Sequence, residues 1–293
     1  MTRPLRLAAV QMRSTGDRER NLRLAAGHAR RAADEGAELI AFPENVAYLR
    51  PEGVTRPPAE DLDGPTAEHF REIAVRHRAW VLAGTLAERI PRSRRVHNTS
   101  VLFRADGTVA AVYRKVHLFD VAIPGRASYR ESRFVEPGAR AVVAASPWGI
   151  LGLSICYDLR FPEIYRALAF SGAEILLVPS AFTAYTGRAH WTVLLRARAI
   201  ENQAWVVAPA QWGHHHGTRR SFGHTSIVDP WGDVVACRER GTGIVVATIV
   251  PGRADRVREE LPSLALARAR YGERLANPSR AGPKSGSRAR ASR

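Results

Sequence analysis

The chain has 293 residues, 45% hydrophobic and 25% charged, which is the composition of a globular protein long enough to bury its own core. Its formal charge is +16, and all but two of its 44 basic residues are arginine. Only two cysteines occur, Cys156 and Cys237, so a disulfide framework and a Cys-based zinc site are both excluded.

Apolar runs alternate with amphipathic stretches for about 250 residues. LRLAAVQM (5–12) reads as a buried strand, and 20–37 has helical spacing ending near a glycine. ELIAFPE (38–44) is a second strand, closed by Pro43 and Glu44. A helix is predicted over 66–78, with Thr66 as its N-cap. AWVLAGTLAE, NTSVLFR and TVAAVYRK read as three strands, and Asp106-Gly107 marks a hairpin turn between the last two. GILGLSICYD (149–158) is a further apolar strand, and 161–173 is a helix with Pro162 just inside it and Gly172 near its end. EILLVPSAF, a helix through HWTVLLRARAIENQ, then AWVVAPAQW, HTSIVDPWG and GIVVATIV complete the body. Interleaved strands and helices imply a mixed α/β fold with helices covering sheets. One domain is expected over 1–272, followed by a basic, disordered tail over 273–293, rich in Pro, Gly, Ser and Arg.

Three chemically distinct side chains end apolar strands: Glu44, Lys115 and Cys156. In open α/β folds, strand ends are where sites gather. Lys115 is the one lysine of the predicted body, in a chain that uses arginine wherever a generic positive charge serves. An ammonium is compact and can share or move a proton, whereas a guanidinium stays charged. A thiol, a carboxylate and an ammonium are the groups that amide hydrolysis needs. The sulfur attacks as thiolate, the carboxylate takes a proton, and the ammonium meets the developing oxyanion. The helix predicted to open near Phe161 should favour a thiolate at Cys156, and the Tyr157 backbone N–H is placed as a second oxyanion donor. Taken singly, each residue has a plainer reading. A lone cysteine is commonly a small buried hydrophobe, and a lone glutamate can pair with an arginine. Cys237, on a late strand, reads as structural.

AFPEN, YRKVHLFD and ICYDLRFPE, in this order and spacing, resemble the three signature blocks of the nitrilase-like carbon–nitrogen hydrolases. The resemblance covers about residues 5–272. It implies a four-layer α–β–β–α sandwich, usually dimeric or larger. It further implies Glu44 as base, Lys115 as oxyanion or proton-donor residue and Cys156 as nucleophile, with no metal or organic cofactor. Glu131 matches the family's second glutamate, which holds the lysine or steers the hydrolytic water. PSAF, AHWTVLLRARAIENQ and SFGHTSIVDPWG resemble the branch that holds deaminated glutathione amidases and omega-amidases. The implied substrate is a small linear amide bearing a carboxylate, cut through a thioester, and a nitrile is the alternative. Arg160 is the candidate carboxylate ligand, or else a salt-bridge partner of Asp158 or Glu163. His190 and Trp191 resemble pocket residues of the family.

His214-His215-His216, flanked by glycines and lacking acidic neighbours, is expected as a polar loop rather than a metal site. The basic excess leaves nucleic-acid binding as a competing class, although the arginines are spread through helices rather than gathered in one stripe. The segment MTRPLRLAAVQM lacks the apolar run of a secretion signal, and no stretch is long and apolar enough for a membrane span. A cytoplasmic protein is therefore expected.

Overall fold

The computed structural model describes residues 3–51, 53–54, 57–122, 124 and 128–276. Two mixed sheets lie face to face, with helices on both outer faces. The first sheet runs in the order Gly243–Ile249, Leu5–Gln11, Leu39–Ala41, Trp80–Leu82, Val96–Phe103, Leu86–Arg89, with Val109–Arg114 also paired to Val96–Phe103. The second runs Val234–Arg238, Thr225–Val228, Trp205–Ala208, Ala173–Leu177, Gly149–Leu153, Val142–Ser146.

Strand alternation explains the layering. Leu5, Leu7 and Ala9 enter the core shared with the second sheet, while Ala8 and Val10 enter a separate core under the helices. Leu39 and Ala41 part from Ile40 in the same way, and Trp80 and Leu82 part from Val81. These strands are therefore apolar on both faces and read as continuous hydrophobic runs. Helices α1 (Arg18–Asp34) and α2 (Pro65–His77) cover the first sheet through Ala25, Ala29, Phe70 and Ala74. Helices α3 (Pro162–Phe170) and α4 (Ala184–Asn202) cover the second through Leu168, Leu195 and Ala199. The result is the predicted four-layer α–β–β–α sandwich.

Several local expectations are corrected. Thr66 does not cap α2. Gly64 holds that position, and Thr66 instead donates its backbone N–H (2.7 Å) and hydroxyl (2.6 Å) to the Glu60 carboxylate. AWVLAGTLAE is two short strands, because the chain turns at Gly84, whose φ is +59°. A β-carbon at Gly84 would collide with the carbonyl oxygen of Pro43. The close approach packs this turn against the loop that carries Glu44, and Asn45 N–H donates to Thr85 Oγ1 there. Helix α4 starts six residues before His190, capped by Thr183. After residue 250 the arginine-rich segment adds α5 (Arg253–Glu260) and α6 (Ser263–Ala276), beyond the elements predicted. Helix α6 carries the folded body past residue 272, and 277–293 of the expected tail lie outside the described residues. Among the described residues, no helix is long and apolar enough to cross a membrane.

The histidine triplet is a strand, not a loop. Trp212–His216 pairs with Arg219–Phe222 as a hairpin, and the buried His215 hydrogen-bonds to Ser14 O (2.8 Å) and Ser221 Oγ (2.9 Å). Burial lowers the pKa of His215 to about 4. Burial, then the charges of Arg31 and Arg238, do the same to His28 in α1. Both rings stay neutral in the fold while the unfolded chain protonates near 6.5. The unfolded state therefore binds more protons between pH 6.5 and 4, so stability must fall as pH falls through that window. We expect a progressive drop in melting temperature from pH 6.5 to 4, worth up to about 3 kcal/mol per histidine. The double variant His28→Gln, His215→Gln should flatten the drop, and an unaltered slope would refute the assignment.

Candidate active site

Loops leaving both sheets meet at one cavity of about 630 Å³, lined by Glu44, Lys115, Glu131, Cys156, Tyr157 and Arg160 among others. Glu44 follows the strand Leu39–Ala41, Lys115 follows Val109–Arg114, and Cys156 follows Gly149–Leu153. Residues spread over more than 100 positions converge because their strands end at the same edge of the sandwich.

Lys115 is 2% exposed. Its ammonium donates to Glu44 Oε1 (2.9 Å) and to both oxygens of Glu131 (3.1 and 2.9 Å). Burial alone would strip its proton, but the carboxylates of Glu131 and Glu44 outweigh burial and hold its pKa well above the ordinary lysine value. Burial likewise opposes the charge on Glu44. The ammonium of Lys115 wins there too, and Glu44 sits below the ordinary carboxylate value. Glu131 is thus the residue that holds the lysine, and it also accepts from the Phe119 N–H (2.6 Å).

Two partners of Glu44 went unnoticed in the sequence. Asn98 Nδ2 donates to Glu44 Oε1 (2.9 Å) and to Glu131 Oε1 (3.2 Å), bridging the two carboxylates. The Ala181 N–H donates to Glu44 Oε2 (2.9 Å). Asn98 lies in the polar half of the strand Val96–Phe103, beside Thr99 and Ser100, and carried no signal that set it apart from them. A backbone N–H leaves no signal at all.

Cys156 opens a short 3₁₀ turn, Cys156–Arg160, and adopts φ +46°. A left-handed conformation costs a non-glycine residue about 1 kcal/mol, so the surroundings must hold it. The buried Asp158 does so. Its carboxylate accepts from Ile155 N–H (2.9 Å), Tyr113 OH (2.7 Å) and His117 N–H (3.0 Å), tying the cysteine turn to residues on either side of Lys115. The thiolate expectation is corrected. Burial first, then the Glu44 charge, push the thiol well above its ordinary pKa, and Lys115 offsets this only in part. Both effects work against a thiolate in the resting site.

Arg160 makes no salt bridge with Asp158 or Glu163. Its guanidinium lies over the Phe182 ring (4.8 Å) and meets His190 Nδ1 at 3.1 Å. His190 is exposed on α4 and steadies Arg160 from outside the cavity wall. Trp191 is fully buried behind Phe182, donating to His224 O (2.8 Å), so it backs the wall rather than lining it. The Tyr157 N–H has no hydrogen-bond partner among the described residues. Cys237 lies exposed on the edge strand Val234–Arg238 and is not part of this cavity's lining.

The carbon–nitrogen hydrolase profile matches residues 6–259. The chain belongs to the carbon–nitrogen hydrolase family. Within it, this hydrolase is 42% identical over 265 residues to the deaminated glutathione amidase of Synechocystis, covering 89% of this chain and 97% of that one. The human protein of the same name is 43% identical over 261 residues, covering 87% and 80%. Among solved structures, the Caenorhabditis elegans NitFhit protein superposes with a TM-score of 0.82 at 38% identity. That match covers 90% of this hydrolase and only 65% of the longer fusion protein. Saccharomyces cerevisiae Nit3, of branch 10 of the nitrilase superfamily, gives 0.79 at 30% identity, covering 89% and 96%. The enzyme class is amidase-type carbon–nitrogen hydrolysis.

Proposed function

We propose that this hydrolase cleaves the linear amide of deaminated glutathione, releasing a keto acid and cysteinylglycine through a Cys156 thioester. The observation that carries the reading is a single cavity. It joins the Cys156 thiol, the Glu44–Lys115–Glu131 cluster and the Arg160 guanidinium, which has no carboxylate partner among the described residues. The names of the relatives at 42–43% identity supply the substrate.

Glu44 takes the thiol proton as Sγ attacks the amide carbonyl. The oxyanion is met by the Lys115 ammonium and the Tyr157 N–H. Collapse breaks the C–N bond, and the proton held on Glu44 leaves with the amine. Water then attacks the thioester, with Glu44 again as base, and frees the acid and the thiol. Arg160 binds the keto-acid carboxylate in bidentate fashion.

A substrate panel tests this. By kcat/KM, deaminated glutathione should exceed alpha-ketoglutaramate, N-carbamoyl-beta-alanine and a simple nitrile by at least about tenfold, a difference of about 1.4 kcal/mol in transition-state binding. Alpha-ketoglutaramate carries the same acyl group, and its ranking first would replace this reading with an omega-amidase. A cytoplasmic site of action and a homodimeric or larger assembly belong to the same proposal. Light scattering on the purified chain checks the assembly.

A further inference from the structure

A second guanidinium in the cavity has no salt-bridge partner among the described residues. Arg219 begins the strand Arg219–Phe222 and lines the cavity. Its side chain makes no hydrogen bond or salt bridge among the described residues. Other partly buried arginines have carboxylate partners. Arg114 pairs with Glu88, Arg198 with Glu201, and Arg253 with Asp229.

The neighbours of Arg219 sharpen the contrast. Arg50 lines the same cavity, and its pKa is depressed by burial and then by the charge of Arg219. Two like charges thus share one cavity. The cavity's carboxylates cannot separate them, since Glu44 and Glu131 are committed to Lys115 and Glu60 to Arg18 and Thr66. A bound anion would relieve this repulsion. The position is also firmly built. The hairpin is pinned by His215 between Ser14 and Ser221, and by a bridge from Ser221 to Thr183. Arg160 and Arg219 come from different walls, the cysteine turn and the hairpin. A cavity of about 630 Å³ accommodates a ligand of tripeptide size between them.

We infer that Arg219, backed by Arg50, forms a second carboxylate subsite that holds the far end of the leaving group while Arg160 holds the acyl end. The inference rests on the substrate reading above, because only a leaving group that ends in a carboxylate uses this subsite. It gives the cavity a means of preferring cysteinylglycine over ammonia as the departing amine.

The test compares deaminated glutathione with the same compound whose glycine carboxylate is converted to a methyl amide, in wild type, Arg219→Gln and Arg219→Lys. Wild type should favour the free carboxylate by at least about tenfold in kcat/KM, mainly through KM. Arg219→Gln should shrink that preference below about threefold, and Arg219→Lys should fall between, because an ammonium keeps the charge but not the fork. Wild type hydrolysing both compounds equally, or Arg219→Gln keeping the full preference, overturns the subsite and leaves the substrate reading standing. Wild type hydrolysing neither overturns the substrate reading, and the subsite falls with it. Each variant is read as a ratio between two substrates, so a general loss of folded enzyme cancels.

Discussion

Cys156→Ala will yield a folded protein whose amidase turnover is lower by at least about 10⁴-fold. The size follows from the site's construction. Glu44 and Lys115 are each locked to protein partners at about 2.9 Å and offer no substitute nucleophile within the cluster. In the mechanism proposed above the buried thiol gives its proton to Glu44 as it attacks, so chemistry stops when sulfur is absent. The fold should persist. Alanine keeps the β-carbon, bears φ +46° at the same small cost, and leaves the Asp158 bonds to Ile155, Tyr113 and His117 in place. We expect a melting temperature within a few degrees of wild type and an unchanged circular dichroism spectrum. A variant retaining more than about 1% of wild-type kcat/KM would falsify the nucleophile assignment.

Lys115→Arg should lower kcat by at least about 10²-fold although the charge is conserved. An ammonium has three protons. Here they meet Glu44 Oε1 and both oxygens of Glu131, converging from one compact nitrogen. A guanidinium is planar and larger, and its donors diverge in a fixed fork. Lys115 is 2% exposed and bounded by Asn98 and both carboxylates, so the larger group must push Glu44 away from Cys156. The loss should fall on kcat more than on KM, because the displaced groups act on the reacting atoms rather than on the distant carboxylates. Kinetics of Lys115→Arg within about threefold of wild type would show that charge alone suffices.

Much of this site is legible one residue at a time. Glu44, Lys115 and Cys156 each end a run of apolar residues, where a continuous apolar run predicts a buried strand and a strand end predicts exposure to a cleft. The scarcity of lysine marks position 115 independently. Other elements resist such reading. Asn98 is one of four consecutive polar residues, His97 to Ser100, with nothing local to show that it is the one that faces two carboxylates. Trp191 carries a family-like context, yet its ring fills the core behind Phe182. Thr66 has a capping residue's chemistry at a helix start, but Glu60, brought close by the chain's return, takes its donors instead.

The expected thiolate at Cys156 failed for a physical reason. A helix start supplies a partial positive charge, and that much was readable in the chain. Complete burial and a neighbouring carboxylate cost the anion more, and both exist only once the loops have met. The sequence by itself determined the central strands of both sheets, through their unbroken apolar runs, though not the histidine hairpin. It determined the outer helices, through their spacing and Pro162, and it determined the types of reacting group. Only the tertiary structure decided which wall each group occupies, because the distance between loop ends is set by how two sheets pack. That packing put Arg160 and Arg219 into one cavity, and it buried the sulfur of Cys156 beside the carboxylate of Glu44.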